Sequence, residues 1–524
     1  MTDIPLTIPA ALGRAVERFG SHEALVADGR RLTFRELADE AAEVARALIA
    51  SGIAPGDRVA IWAPNGATWV VASFGIYAAG AVQVPLNTRF RGEEAGHVLR
   101  TSGATLLLTV TNFLDTDYVA LLDGVDGLDA LRDIIVFDGA VPEGATSFAE
   151  FLARGADVDL DEVRAREGAI DPDDLSDLIF TSGTTGAPKG AMLTHGASTR
   201  TYWEWSGLVD LREADRYLVV YPLFHTGGLK SGVLACVLRG ATIHPEAVFD
   251  VPKVMKTVAD ERITMLPGPP TVFQSILNDP DLANYDLSSV RSSVTGAAVV
   301  PVEVIRQMRD VLGIGTIVTG YGLTETTGTV SMCRHDDSTE VIALTVGRPL
   351  PGVEVRVVDD DGADVPAGAP GELLVRGFNV MKGYFNDTAA TADTIDADGW
   401  MKTGDIGFVD DAGNLHITDR KKDMFIVGGF NAYPAEIESL MLANPAIAQV
   451  AVIGIPDARL GEVGAAFVVP ASGADADADA IVAWCREHMA NFKVPRRVEL
   501  LDALPTNPSG KIMKFKLRER LTDS

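Results

Sequence analysis

Helix-like and strand-like stretches alternate along this 524-residue chain as far as about Gly320, and that alternation limits the folds open to it. "FRELADEAAEVARALIASG" has the apolar period of a helix and stops at Gly52, and "DRVAIWAPN" then reads as a strand entering a loop. The pattern resumes at "HGASTRTYWEWSG", which implies α/β layers with mostly parallel strands. Near residue 345 the texture changes. "VEVRVVDDDGADV" and "IGFVDDAGNLHITDR" set Asp-Gly and Gly-Asn turns between alternating apolar residues, the mark of hairpins in a small antiparallel unit. After Asp419-Arg420 it changes again. "YPAEIESLMLANP" reads as a helix with Pro434 in its first turn, "VAVIGIP" as a strand, and "GADADADA" as a solvated turn before the helix at "IVAWCREHM". The expectation is a large domain of layered α/β sheets with a small antiparallel β unit over residues 1–419, and a smaller α+β domain over 420–524. No internal repeat is visible.

Bulk properties exclude several function classes. A net charge of −28 repels polyphosphate backbones, so no nucleic-acid partner is expected, and any anionic ligand needs a local cradle. Cys236, Cys333 and Cys485 are few and far apart, which excludes a cysteine-rich zinc site and suits a reducing cytoplasm. "MTDIPLTIPA" has no basic leader region, so no signal peptide is expected. The apolar run from Trp69 to Leu86 contains Ser73, Gly75, Gly80, Gln83 and Pro85; it reads as a buried helix passing into a strand, and the chain as not integral to a membrane.

The cradle is "TSGTTGAPKG". It follows Leu178-Ile179-Phe180, a run short enough for a buried strand. Glycines allow tight turns that aim backbone N–H groups inward, Thr and Ser add hydroxyls, and Lys189 adds a mobile positive charge. The common phosphate loop G-x-x-x-x-G-K-S/T does not fit, because Pro188-Lys189-Gly190 stands in its place. Thr181, Ser182, Gly183, Thr184, Thr185, Gly186 and Lys189 are therefore the candidate phosphate contacts of another kind of enzyme.

Five further stretches line up with the loop: "YPLFHTGG", "TGYGLTET", "WMKTGD", "DRKKDMFIVGGFNAYPAEIE" and "PTNPSGKIMKFKLRE". Six motifs in this order, spanning almost the whole chain, resemble the adenylate-forming superfamily of acyl-CoA synthetases, firefly luciferase and the adenylation domains of peptide synthetases. The resemblance implies ATP, Mg2+ and coenzyme A as co-substrates and cofactors, with a small-molecule carboxylic acid as partner. A carboxylate is a poor electrophile. It attacks the α-phosphorus of ATP, pyrophosphate leaves, and the acyl-adenylate is then open to a thiol; the site must neutralise charge during that in-line transfer.

Within "TGYGLTET", Tyr321 offers an aromatic face for adenine and Glu325 a hard oxygen for Mg2+, and Gly320, Gly322 and Thr324 of the same motif are further candidate cofactor-binding residues. The resemblance adds the Thr181 hydroxyl near the metal and lays adenine along Gly296-Ala297-Ala298. Asp405 resembles the carboxylate that chelates both ribose hydroxyls, a geometry that suits a vicinal diol. Arg420 is its implied neighbour on ribose or phosphate; Lys421 reads as solvated charge, while Lys422 stays a candidate. Lys511 resembles the lysine that reaches in from the small domain during adenylation, and Asp419 the hinge about which that mobile domain turns. Gly428 and Gly429 resemble the pair bordering the pantetheine tunnel, although Phe430 stands where many relatives carry Glu. His225 occupies the place beside the acyl carboxylate. Amino-acid-activating domains generally carry Asp there, so an amino acid is not the expected substrate.

Lys230 lies inside the apolar "HTGGLKSGVLACVL", where either its ammonium reaches water or it meets a polar group such as a ring ketone on the acid. The motifs "LPGPPT", "TGAA" and "GGFNAYPAEIE" resemble the branch acting on fatty acids and on propanoate side chains of partly degraded steroid rings. An aromatic-acid ligase and a carrier-protein-loading ligase are the rival enzymes. A catalytically silent nucleotide binder is disfavoured by Glu325, Asp405 and Lys511. A homodimer is compatible with the sequence, which is silent on oligomeric state.

Overall fold

The structure is a computed structural model; it describes every residue except 1–3, 183–187, 297–301, 360, 370, 421–424, 433, 472–473, 475, 506–513 and 523–524. Two compact units emerge. The larger contains Met1–Thr88, Val98–Phe180 and Gly190–Asp419, and the smaller Arg89–His97, Thr181–Lys189 and Arg420–Ser524.

Short apolar strands organise the larger unit. A seven-stranded sheet runs Thr146–Ser147, Asp133–Asp138, Leu106–Val110, Arg58–Trp62, Val82–Pro85, Leu175–Ser182, Pro188–Thr194. Its pairings from Thr146–Ser147 through Leu175–Ser182 are parallel. Such strands are covered on both faces, and Ala60, Ile61, Leu107 and Leu108 are fully buried. The helix Phe34–Ala50 starts at a capping box in which Thr33 accepts from the Glu36 N–H and the Glu36 carboxylate accepts from Thr33. It packs Leu37, Val44 and Leu48 inward. The run from Trp69 onward is the helix Ala67–Ala78, apolar on all sides and buried, passing into the strand Val82–Pro85. Among the described residues no helix is long and apolar enough to cross a membrane.

A second layer holds Arg216–Val219, Thr242–Pro245, Glu23–Ala27 and Arg30–Thr33, and a third Ser292–Gly296, Thr316–Tyr321, Ser331–Met332 and Arg348–Pro349. Parallel bridges from Met265 to Tyr217 and to Ser292 join them. The antiparallel unit follows: Val353–Val358, Gly371–Gly377, Met401–Val409, Leu415–Arg420. Here one expectation changes. The Asp-Gly turn after Val358 gives only a brief return, whose Ala363 and Val365 meet Asp359 and Val357. Asp359 caps its own turn through the Asp361 and Ala363 N–H groups, and Pro366, which has no N–H, stops the return. The full ladder of Val353–Val358 is made with Gly371–Gly377 instead.

In the smaller unit Phe430–Ala432, Phe425–Val427, Gly461–Pro470 and Ile447–Asp457 form a sheet, with Arg497–Leu500 parallel to Gly461–Pro470. Helices Pro434–Met441 and Ala478–His488 supply Ile437, Met441, Ile481 and Cys485 to its core. All three cysteines are free and buried.

Candidate active site

Two of the stretches expected to contact the nucleotide begin where parallel strands end. Ser292–Gly296 pairs in parallel with Thr316–Tyr321, so Gly296 lies opposite Gly320 at the carboxyl ends of both. Ligands of open α/β sheets bind at such ends. Beyond Tyr321 the chain turns through the short 3-10 helix Thr324–Thr326, which brings out Glu325.

Glu325 is half-buried and held twice. Its carbonyl accepts from the Met381 N–H at 2.8 Å, and its Oε1 accepts from the Tyr384 hydroxyl at 2.9 Å. The segment carrying Met381 and Tyr384 is itself laced to the strand Pro188–Thr194, through Lys382 N–H to Met192 O (3.0 Å), Met192 N–H to Gly383 O (2.9 Å) and Phe385 N–H to Gly190 O (2.8 Å). A carboxylate aimed by a phenol is a hard donor of the kind Mg2+ takes. Among the described residues no group of three or more His, Cys, Asp or Glu could hold a metal alone.

Tyr321 and Asp405 are joined directly: the Tyr321 hydroxyl donates to Asp405 Oδ2. Asp405 is 2% exposed on the strand Met401–Val409, and its N–H donates to Thr403 Oγ1 at 3.1 Å. The bond fixes the ring of Tyr321 and the carboxylate in one arrangement, a flat apolar face beside an acceptor pair.

His225 follows the strand Arg216–Val219 and leads into the π-helix Gly227–Leu234. Its Nδ1 accepts from the Gly227 N–H at 3.1 Å. In the neutral ring the proton then sits on Nε2, which is left as a donor. Solvent reaches the side chain, but the surrounding protein desolvates it and holds its pKa below the ordinary imidazole value, so the ring is neutral at pH 7. The π-helix passes so close to Pro222 that a Cβ on Gly228 would lie 2.2 Å from the Pro222 oxygen.

Both expectations for Lys230 are overturned. Its ammonium reaches neither water nor an acid, because the side chain is 1% exposed and paired with Asp177, which is fully buried. The Lys230 ammonium also donates to the Tyr77 oxygen at 3.2 Å, and the Tyr77 hydroxyl donates to Asp177 Oδ1 at 2.7 Å. Ser176 adds a donor to Asp177 Oδ2 at 2.5 Å. Burial pulls the Lys230 pKa down, Asp177 opposes that pull, and burial drives the Tyr77 phenol well above its usual value. Removing one partner of such a pair costs about 3–5 kcal/mol.

In the smaller unit Gly428 and Gly429, at φ +56° and +87°, form the two-residue turn between Phe425–Val427 and Phe430–Ala432. Two successive positive φ values are what a type I′ hairpin demands. Phe430 stacks on Phe492 with ring centroids 5.0 Å apart, which gives the aromatic at this position a packing role. Thr181 and Ser182 end the strand Leu175–Ser182, and Lys189 is the second residue of the next, Pro188–Thr194. Asp419 and Arg420 end the strand Leu415–Arg420. Gly183, Thr184, Thr185, Gly186, Ala297, Ala298, Lys421, Lys422 and Lys511 lie outside the described residues. Two residues escaped the sequence reading: Tyr384, whose link to Glu325 spans 59 positions, and Asp177.

The model of the AMP-binding enzyme family matches residues 12–385, and that of the AMP-binding enzyme C-terminal domain residues 436–511. The chain belongs to the AMP-binding enzyme family. Within that family it is 49% identical, over 99% of both chains, to a 3-[(3aS,4S,7aS)-7a-methyl-1,5-dioxo-octahydro-1H-inden-4-yl]propanoyl:CoA ligase of Rhodococcus jostii. A ligase of the same description from Mycobacterium tuberculosis is 48% identical over 98% of both. The structure of o-succinylbenzoate CoA synthetase from Bacillus subtilis is similar at a TM-score of 0.80 and 28% identity, covering 97% of this chain and 98% of that one. This AMP-binding enzyme is an AMP-forming acid–thiol ligase, an acyl-CoA synthetase that uses ATP, Mg2+ and coenzyme A.

Proposed function

We propose that this synthetase activates the propanoate side chain of a partly degraded steroid, a fused bicyclic ring acid bearing ketones, and passes it to coenzyme A. The observation that supports the reading is near-50% identity along the whole chain to two ligases described with the same bicyclic propanoate.

In the proposed reaction the carboxylate oxygen attacks the α-phosphorus and pyrophosphate departs. The thiol of coenzyme A then attacks the acyl carbon and AMP departs. His225, neutral and with Nε2 as donor, steadies the acid's carboxylate. Tyr321 would carry adenine and Asp405 the ribose hydroxyls, while Glu325 with Thr181 would hold the Mg2+, which would supply charge screening at the phosphates. Thr181 to Lys189 wraps the departing pyrophosphate, and Gly296 to Ala298 borders adenine. Residues 1–419 act as the acid- and nucleotide-binding domain and 420–524 as the mobile one. Lys511 serves adenylation, Gly428 and Gly429 serve thiol entry, Arg420 and Lys422 approach the nucleotide, and Asp419 is the pivot. The work is cytoplasmic, where ATP and coenzyme A are supplied, and a homodimer would appear as twice the 55.6 kDa chain mass in light scattering.

The test is pyrophosphate release with a panel of acids, with and without coenzyme A: the dioxo-octahydroindene propanoate, plain fatty acids and a cinnamate-type acid. The expected result is the highest kcat/KM for the bicyclic propanoate, with thioester formed on free coenzyme A. A preference for the cinnamate-type acid would replace this reading with the aromatic-acid one. Adenylate formation without transfer to coenzyme A would replace it with carrier-protein loading.

A further inference from the structure

Lys230 has no part in the chemistry proposed above, yet it is among the largest fully buried side chains of the described residues. A buried ion pair is costly to assemble and is often replaceable by apolar residues of similar volume, so its presence asks for a geometric reason. The surroundings supply one. Lys230 sits four residues into the π-helix Gly227–Leu234, and such helices are rare and frequent at functional sites. The first N–H groups of that helix all bind His225: Gly227 N–H binds the ring Nδ1 at 3.1 Å, while Gly228 and Leu229 N–H bind the His225 carbonyl at 3.1 and 2.9 Å. Lys230 is the next residue. Its ammonium is fixed to Asp177 on the strand Leu175–Ser182 and to Tyr77 on the helix Ala67–Ala78.

Three donors converge on Asp177, and the Tyr77 oxygen accepts from Lys230 while its hydrogen goes to Asp177. The three groups thus close a ring of directional bonds. An apolar substitute would fill the space without fixing the rotation of the π-turn about its own axis. We propose that Lys230 is a positioning residue: with Asp177 and Tyr77 it locks the register of the π-turn whose leading N–H groups hold His225 in one tautomer and orientation toward the acid. This rests on the ligase reading for its catalytic consequence, but the effect on His225 can be read without any substrate.

The experiment compares the parent with the charge-free pair Lys230→Met/Asp177→Leu, which removes both charges together and so avoids an unpaired one, and with Tyr77→Phe, which keeps the charges and deletes only the hydroxyl. The first readout is the 15N-histidine spectrum, in which His225 is assigned by His225→Gln. The parent shows His225 protonated on Nε2, and the charge-free pair, folded and with a near-parental Tm, shows a tautomer mixture. The second readout is kinetic. KM for the acid rises and adenylation kcat falls, each by about tenfold, as expected for a small misplacement of a reacting group, while KM for ATP stays at the parental value. Tyr77→Phe shifts the same quantities in the same direction by less. Parental His225 resonances in the folded charge-free pair would overturn the proposal. If that pair fails to fold, parental resonances in Tyr77→Phe overturn it. A parent that turns over no acid in the panel would sink the ligase reading alone, since the spectra would still decide the role of Lys230.

Discussion

Tyr384 donates its phenolic hydrogen to Glu325 Oε1 at 2.9 Å, while the same segment's Met381 N–H holds the Glu325 carbonyl. One strap thus fixes both the backbone and the carboxylate of the residue assigned to Mg2+. A freely rotating glutamate would lose side-chain entropy on each binding event; this one has lost it beforehand.

Tyr384→Phe removes that hydrogen bond and leaves the ring. Partners of metal-binding side chains are typically worth about 10–100-fold in metal affinity, and the lower end applies here because the ion also rests on phosphate. The expected outcome is a roughly tenfold weaker Mn2+–ATP complex by electron paramagnetic resonance. Saturating metal should restore most of kcat. Glu325→Gln should not be restored that way.

Acid should destabilise the protein through a buried histidine. Burial lowers the His195 pKa from 6.5 to about 4, and its Nδ1 accepts from the Ile8 N–H at 3.3 Å, a bond that protonation abolishes. The unfolded chain therefore binds a proton that the folded one refuses. The sign follows: the contribution of His195 is complete above pH 6.5 and is lost as pH falls toward 4, at about 1.4 kcal/mol per pH unit. Denaturant unfolding between pH 7.5 and 4.5 should show this slope, and His195→Gln should reduce it by about one proton.

Lys511→Ala should separate the two proposed half-reactions. A charge-assisted contact made only in the adenylation transition state is worth about 3–4 kcal/mol, so adenylate formation should fall by two to three orders of magnitude. Thioester formation from supplied acyl-adenylate and coenzyme A should persist. Equal loss in both assays would remove Lys511 from its assigned role.

Local pattern made much of the fold legible. The helix Phe34–Ala50, read from its apolar period, and the buried helix Ala67–Ala78 passing into the strand Val82–Pro85 each follow from residues close in sequence. What could not be read was pairing over distance. The Asp-Gly turn near Gly362 promised a complete hairpin, but Pro366 ended the return and a later strand completed the ladder. Tyr384 gave no local sign of its bond to Glu325. Asp177 and Lys230 did leave a trace: each is a lone charge of opposite sign in an apolar run, "LSDLIF" and "GGLKSGVL". Two buried charges without local partners imply each other.

Asp419 lies one residue before the end of the strand Leu415–Arg420, so its backbone is the last part of the larger unit's antiparallel sheet before the smaller unit begins. A pivot at that point needs freedom in φ and ψ, and the proposed reaction asks for two arrangements because Lys511 and the glycine pair serve different steps at one carbon. Asp419→Pro would fix φ near −65° and delete an N–H. Adenylate should still form, whereas transfer to coenzyme A should fall at least tenfold, since the second arrangement requires the rotation that proline forbids. The measurement is single-turnover: labelled acyl-adenylate is formed on the variant, coenzyme A is added, and thioester is followed in time. Parental transfer rates would place the pivot elsewhere, and the functional boundary between residues 419 and 420 would move with it.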